Sequence, residues 1–194
     1  AHVNAGYPAK IADQASNAIE NARLYSEIQQ LAILDDLTGL YNRRGLAIFG
    51  KREVERAIRF NRDLSILFMD IDDFKLFNDR YSYSTGDEVL RTLAGCLRAN
   101  LRETDVISRY GGDEFVILLP ETNKISAYEI SERLRNAIYT LGINANGKKL
   151  RISISTGIYS RQKLDKDLES MIESAGEQLH VAKNMGKNRV AMKE

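Results

Sequence analysis

Apolar residues recur along the chain with two different periods, and the switches between them outline its elements. Ile11, Ala15, Ala18, Ala22 and Tyr25 alternate at spacings of four and three, the seam of a helix that packs lengthwise on a partner. Such a seam suits a helix lying on its own domain or a parallel dimer helix joined to an upstream module. After the Asp35-Asp36 pair, a turn-rich segment leads into an amphipathic helix over residues 46–61. Residues 64–71 are an apolar run of strand length, and residues 86–101 return to helical spacing through Val89, Leu90, Leu93 and Leu97. Two short strand-like runs, 106–110 and 115–119, flank two glycines and two carboxylates and read as a hairpin. A helix over 125–141, an alternating strand over 150–159, a helix over 168–183 and a last strand at 189–192 follow. The order β-α-β-β-α-β-α-β predicts an α+β fold, with a mainly antiparallel central sheet and flanking helices of the ferredoxin-like or polymerase-palm type. An N-terminal linker helix precedes it, so we divide the chain into a signalling or dimerisation helix at 1–34 and a main domain at 35–194.

Composition narrows the choice of partners. The 28 basic side chains nearly cancel the 27 acidic ones, so bulk charge gives no argument for nucleic-acid or acidic-membrane binding. An anionic ligand must be held by local groups. Cys96 is the only cysteine; it cannot form an internal disulfide, sits in a predicted helix as a small core residue, and suits the reducing cytoplasm. No apolar run approaches the roughly 20 residues that cross a bilayer, and no signal pattern opens the chain. A soluble chain is therefore expected.

The segment Met69-Asp70-Ile71-Asp72-Asp73 collects three carboxylates at the end of an apolar strand, where packing gives no reason to gather like charges. Such a cluster wants a cation; a solvated acidic turn is the alternative. In Gly111-Gly112-Asp113-Glu114, adjacent glycines permit positive φ in a tight turn and let a ligand approach bare backbone. If the first strand pairs beside this hairpin, Asp70, Asp113 and Glu114 converge on an oxygen-rich site suited to Mg²⁺. No Cys or His cluster competes for a softer metal. Magnesium among carboxylates beside an open glycine turn is what nucleotidyl transfer uses. Lys75, just past the acidic strand end, could reach a triphosphate, and the amides of residues 72 to 75 could bond its terminal oxygens. Neither a P-loop nor a protein-kinase signature is present.

Four blocks, in order, carry a resemblance. Arg109-Tyr110-Gly111-Gly112-Asp113-Glu114-Phe115 is accompanied by Asp35-Asp36-Leu37-Thr38-Gly39-Leu40-Tyr41-Asn42-Arg43-Arg44, by Asp70-Ile71-Asp72-Asp73-Phe74-Lys75, and by Lys183 with Gly186-Lys187-Asn188-Arg189-Val190. Over about residues 35–192 the chain resembles the catalytic domain of GGDEF-family diguanylate cyclases. Its start resembles the last helix of a GAF sensor domain. The resemblance implies a homodimer below an upstream sensor, condensing two GTP into cyclic di-GMP with Mg²⁺, or Mn²⁺ in its place. Asp70, Glu114, Asp113 and the Ile71 carbonyl would hold the metal. Asp113 would activate the ribose 3′-hydroxyl, and Lys75 would offset charge on the transferring phosphoryl group. Phe74, Asn78 and Asp87 would bind the guanosine; a carboxylate can accept from both N1 and N2 of guanine, which adenine does not offer. Lys183 and Lys187 match phosphate contacts, against the alternative of solvent-facing lysines at a helix end. Arg102-Glu103-Thr104-Asp105 resembles the inhibitory RxxD site for the cyclic product, with Arg133 as a further member, against a surface ion pair.

Some positions depart from the family. Tyr81-Ser82-Tyr83-Ser84 stands where Phe-Gly-His-Asp is common, and Gly176 and His180 stand where Asp and Tyr are usual. The first departure leaves room for a catalytically weak domain that acts as a receptor for cyclic di-GMP or GTP; a second rival keeps the enzyme but makes a mixed cyclic GMP-AMP, against which Asp87 weighs. A purely structural dimerisation module would have no use for five carboxylates and a diglycine.

Overall fold

The computed structural model describes residue 19 and residues 32–145, 148–163 and 167–193, the side chains of 143–148 excepted. Two units divide the chain, Ala1–Ala32 and Ile33–Glu194, and the second holds the β-sheets and the helices that cover them. The seam from Ile11 to Tyr25 and the GAF-like helix lie outside the described residues.

Helix α1 (Arg43–Phe60) starts where the Asn42 side chain accepts a hydrogen bond from the Gly45 amide, and it stops at Asn61, whose φ of 47° reverses the chain. Strand β1 (Leu64–Ile71) follows, then α2 (Phe74–Tyr81) and α3 (Tyr83–Asn100). The hairpin is β2 (Val106–Arg109) and β3 (Glu114–Pro120), and α4 (Lys124–Leu141) crosses back. A small hairpin of β4 (Ile143–Ala145) and β5 (Lys148–Leu150) precedes β6 (Ile154–Ser160), α5 (Leu168–Asn184) and β7 (Val190–Met192).

The main sheet has the order β2-β3-β1-β6-β7. Central β1 runs antiparallel to both β3 and β6, while β7 lies parallel to β6. Helices cover both faces. Leu67, Met69 and Ile71 pack with Phe115, Ile117 and the α3–α4 residues Val89, Leu93 and Leu134. Leu64 and Ile66 pack with Val116, Leu118 and the α1 and α5 residues Leu46, Val54 and Met171. Burial on both sides explains why β1 reads as a mainly apolar run, interrupted only at Ser65 and Asp70, instead of an alternating one. Each fully buried side chain of this size contributes about 1.5–3 kcal/mol. Cys96 is buried on α3 as expected.

The sequence expectation differs from the fold in three places. The strand predicted over 150–159 is two strands in different sheets, because β5 folds back on β4 and residues 151–153 leave the ladder before β6 begins. Helix α2 has no counterpart in the hydrophobic pattern: its two turns are too short for periodicity to register, and it is held by buried Phe74 and by Phe77 packed on the Tyr81 ring. The turn expected at residues 81–84 is the joint between α2 and α3, reduced to one residue. Ser82 sits there with φ 101° and ψ 156°, a region open essentially to glycine. Its hydroxyl accepts from the Thr85 amide at 3.4 Å, a weak return for that strain. Ser82→Gly is therefore expected to raise the unfolding free energy by about 1–2 kcal/mol, read as a higher urea midpoint at unchanged slope. A midpoint at or below that of the parent protein would place the strain elsewhere.

Candidate active site

The register of β1 against β3 sets Asp70 directly opposite Glu114. Both side chains project on the face covered by α1 and α5. Asp70 is only 6% exposed, and the Lys183 ammonium on α5 reaches its Oδ2 at 2.8 Å. Burial pushes the Asp70 carboxyl up to about 6 against the pull of Lys183, and the neighbouring charges of Asp113 and Glu114 add to the rise. Two carboxylates and a lysine thus share the end of the central strand.

The hairpin tip differs from its expected conformation. Neither Gly111 nor Gly112 has positive φ. At Gly111 a Cβ would stand 2.6 Å from the Glu114 Oε2, so a side chain there would push that carboxylate aside. At Gly112 a Cβ would meet nothing within 4 Å, so its backbone is open to an approaching ligand.

Arg109 braces this tip. Its Nε and Nη2 donate to the Gly112 carbonyl at 3.0 and 2.7 Å, while Nη1 forks onto both Asp35 oxygens at 3.2 and 3.1 Å. Asp35 in turn accepts from the Thr38 amide and hydroxyl. Tyr41 bridges to Ser108 on β2, and the Arg43 guanidinium lies 4.7 Å over the Tyr110 ring. The block from Asp35 to Arg44 is thus a clamp on the hairpin. That role was not legible in the sequence, where Asp35 sits 74 positions from its partner.

The other acidic residues part ways. Asp72 is committed to Ser153, Ser155 and the Asn188 amide. Asp73 pairs with Lys187 and takes the left-handed conformation at the start of α2, without capping it. Of the amides expected to be free at residues 72 to 75, that of Asp72 donates to the Ser153 carbonyl. Among the described residues no three Asp, Glu, His or Cys side chains gather closely enough to hold a metal ion.

Beside the acidic strand end, a cleft of about 310 Å³ is lined by Phe74, Lys75, Asn78, Tyr83, Gly86, Asp87, Gly112 and Asp113. The expected guanosine residues are thus brought together with the hairpin tip. Asn78 Oδ1 is buried there without a hydrogen-bond partner, and it rests 1.9 Å from where a Cβ on Gly86 would be. Arg102 and Asp105 lie elsewhere, in a turn where the Arg102 amide donates to Asp105 Oδ2 at 2.8 Å. Burial raises the Asp105 carboxyl, partly offset by that amide and by the Arg102 charge. Both line a separate cavity of about 390 Å³ with Arg98, Leu34, Leu40 and Ile107. Arg133 donates to the Asn100 carbonyl and is not among the residues of that cavity.

The family model described as the diguanylate cyclase GGDEF domain matches residues 32–189. The chain belongs to this family. It is 37% identical over 171 residues to the diguanylate cyclase DosC of Escherichia coli K12, covering 87% of this chain and 37% of that protein. With the diguanylate cyclase DgcP of Pseudomonas aeruginosa it shares 40% identity over 162 residues, 84% of this chain and 24% of that protein. The chain therefore spans well under half the length of these curated relatives. Among solved structures, the GGDEF domain of DgcB from Caulobacter crescentus, in complex with c-di-GMP, aligns with a TM-score of 0.78 at 27% identity, covering 82% of this chain and 92% of that one.

The Asp35–Arg109 clamp yields a pH signature. Burial alone raises the Asp35 carboxyl, but its bonds from Thr38 and the Arg109 guanidinium outweigh burial and hold it below its ordinary value of 3.8. A carboxyl lowered on folding stabilises the protein above its unfolded value, and that stabilisation is lost as pH falls through the folded one. Asp35→Asn in this GGDEF domain is expected to cost about 1–2 kcal/mol at pH 7, with the gap closing in acid below about pH 4. Urea midpoints across that range check it; a gap independent of pH would remove the charge from the explanation.

Proposed function

We propose that this GGDEF domain is a diguanylate cyclase, joining two GTP into cyclic di-GMP with release of two pyrophosphates. The observation that carries the reading is the buried, unpartnered Asn78 Oδ1 in the same cleft as Asp87. An orphaned acceptor costs about 1–3 kcal/mol, which a ligand donor relieves. Guanine brings the N1 and N2 donors that two such acceptors suit, and adenine does not.

The donor set fits a hard dication, because Asp70 and Glu114 offer carboxylate oxygens and Asp70 already draws a cation in the form of Lys183. Magnesium is commonly held by few carboxylates together with substrate phosphates and water, which suits a site open to a triphosphate. Asp70, Glu114, Asp113 and the Ile71 carbonyl would hold it, and when bound it supplies Lewis-acid polarisation of the reacting phosphate. Lys183 and Lys187, paired with Asp70 and Asp73, turn to the incoming phosphates, and Lys75 offsets charge on the transferring group. The α2 start is uncapped by Asp73, leaving first-turn amides for phosphate oxygens. Asp113 accepts the proton of the 3′-hydroxyl. The 3′-oxygen attacks the α-phosphorus of the other GTP, the bond to the β-phosphate oxygen breaks, and pyrophosphate leaves. Each subunit holds one GTP, so two faces must meet, which makes the attack effectively intramolecular. In the full-length protein an upstream sensor would set that meeting.

Product inhibition is proposed at Arg102 and Asp105, where a guanidinium can clamp phosphate and a half-buried carboxylate can accept from guanine. Arg133, bonded to the Asn100 carbonyl, would have to turn to join them.

Incubation with GTP and Mg²⁺ should give cyclic di-GMP and pyrophosphate, and Asp70→Asn should lower the rate by about a hundredfold or more. Product bound without turnover by a dimeric sample would move the assignment to the receptor reading. Gly86→Ala has no backbone strain to contend with, yet its Cβ displaces the Asn78 carboxamide. It should raise KM for GTP by about tenfold or more while the melting temperature holds. Arg102→Ala should raise the product concentration that halves the rate by at least about tenfold; an unchanged inhibition curve rejects that site.

A further inference from the structure

Of the acidic residues at the strand end, Asp72 and Asp73 have no part in the reaction, and Asp72 is the most heavily bonded. Its Oδ1 accepts from the Ser155 hydroxyl at 2.6 Å, and its Oδ2 accepts from the Ser153 hydroxyl at 2.6 Å and the Asn188 amide at 2.9 Å. With both oxygens committed to protein donors, this carboxylate is not free to serve a metal ion. Ser155 lies at the start of β6, which is already paired with β1, and Ser153 lies just before it. The Asn188 amide comes from the loop between α5 and β7, and this third bond crosses 116 positions of sequence.

That loop is strained in a particular way. Gly186, Lys187 and Asn188 have φ of 113°, 62° and 47° in succession; glycine and asparagine tolerate this region, but Lys187 is a residue that avoids it. Consecutive left-handed residues persist only where the surroundings over-determine them. Here the Asn188 amide is held by Asp72, and the Asn188 side chain accepts from Arg135 Nη1 at 3.0 Å. Arg135 is itself fixed by Glu132 on the same helix. The Lys187 amide donates to the Ala182 carbonyl, and its own carbonyl accepts from Arg189 Nε. Lys183 lies in the last turn of the helix that enters the loop, and Lys187 lies inside the loop. Their ammonium groups sit on Asp70 and Asp73.

We propose that Asp72 is a positioning residue for the phosphate end of the site, an anionic anchor that holds the 186–188 loop in its left-handed course and so sets where the Lys183 and Lys187 ammoniums stand. The inference rests on the cyclase reading for what those lysines meet, but not for the anchor itself. A carboxylate suits the task because a short charged acceptor binds several donors at once more strongly than a neutral one. An anchor one residue beyond Ile71 and one before Asp73 registers the loop against the same strand that carries Asp70.

The test compares Asp72→Ala, Asp72→Asn, Lys187→Ala and the Asp72→Ala/Lys187→Ala pair. If Asp72 acts through the lysine loop, Asp72→Ala raises KM for GTP by about tenfold or more, with a smaller change in kcat, and Asn188 amide exchange quickens. Asp72→Asn recovers most of the affinity, since a carboxamide oxygen still accepts from Ser153 and Asn188. In the Lys187→Ala background the further loss is small, because a loop without its lysine gains little from being placed. An unchanged KM in Asp72→Ala, or effects that multiply in the pair, would overturn the proposal and leave Asp72 a fold pin. Should Asp72→Ala fail to fold, Ser153→Ala/Ser155→Ala loosens the same anchor and should raise KM in the same direction. Parent protein inert toward GTP would reject the cyclase reading alone; Asn188 exchange and calorimetric binding of GTP would still decide the anchor.

Discussion

Everything at the functional end of this domain depends on one register: β1 against β3, with Asp70 opposite Glu114. In an antiparallel pair, directly opposed residues share a face, and a slip of one residue would send Asp70 to the other side of the sheet. The register is secured from both faces, since Leu67 and Met69 are buried under α3 and α4 while Leu64 and Ile66 are buried under α1 and α5. Like charges directly opposed are unfavourable by themselves. They are tolerated because packing along the rest of the strand has already decided the alignment, and because Lys183 lies against one of them.

Around that pair, three supports converge from distant parts of the chain. Arg109 holds the hairpin tip by the Gly112 carbonyl and is held by Asp35. Asp72 pins the loop that carries Lys187 to the end of the same strand. Ser82 keeps α2 and α3 joined through a single strained residue, which brings Asn78 against Gly86. The cations near the acidic end are therefore placed by backbone devices as well as by their pairing with Asp70 and Asp73.

Much of this is legible in the sequence, and the particular residues show why. Runs governed by burial can be read directly: the apolar stretch of β1, the helical spacing of α3 and the alternation in β6 record packing that any neighbour of suitable shape satisfies. Short or strained elements cannot. Two turns of α2 fall below the length at which periodicity speaks, and the break at residues 151–153 depends on what β5 pairs with. The glycines at 111 and 112 stand out in the sequence for the wrong reason, since neither has positive φ, and what a Cβ at 111 would disturb is the position of the Glu114 carboxylate.

Residue identity alone determined the chemical inventory of this protein: carboxylates at a strand end, a diglycine before two more, lysines after the last long helix, and the family to which these motifs belong. Local order along the chain also determined most of the elements, because hydrophobic periodicity is a property of neighbours in sequence. Which carboxylate meets which partner was decided only in three dimensions. Asp70, Asp72 and Asp73 are nearly adjacent letters, yet they face respectively a helix lysine, a serine and amide cradle, and a loop lysine. The physical reason is that hydrogen bonds and ion pairs act over a few ångströms, and the chain brings residues more than a hundred positions apart within that distance only once its two cores have closed.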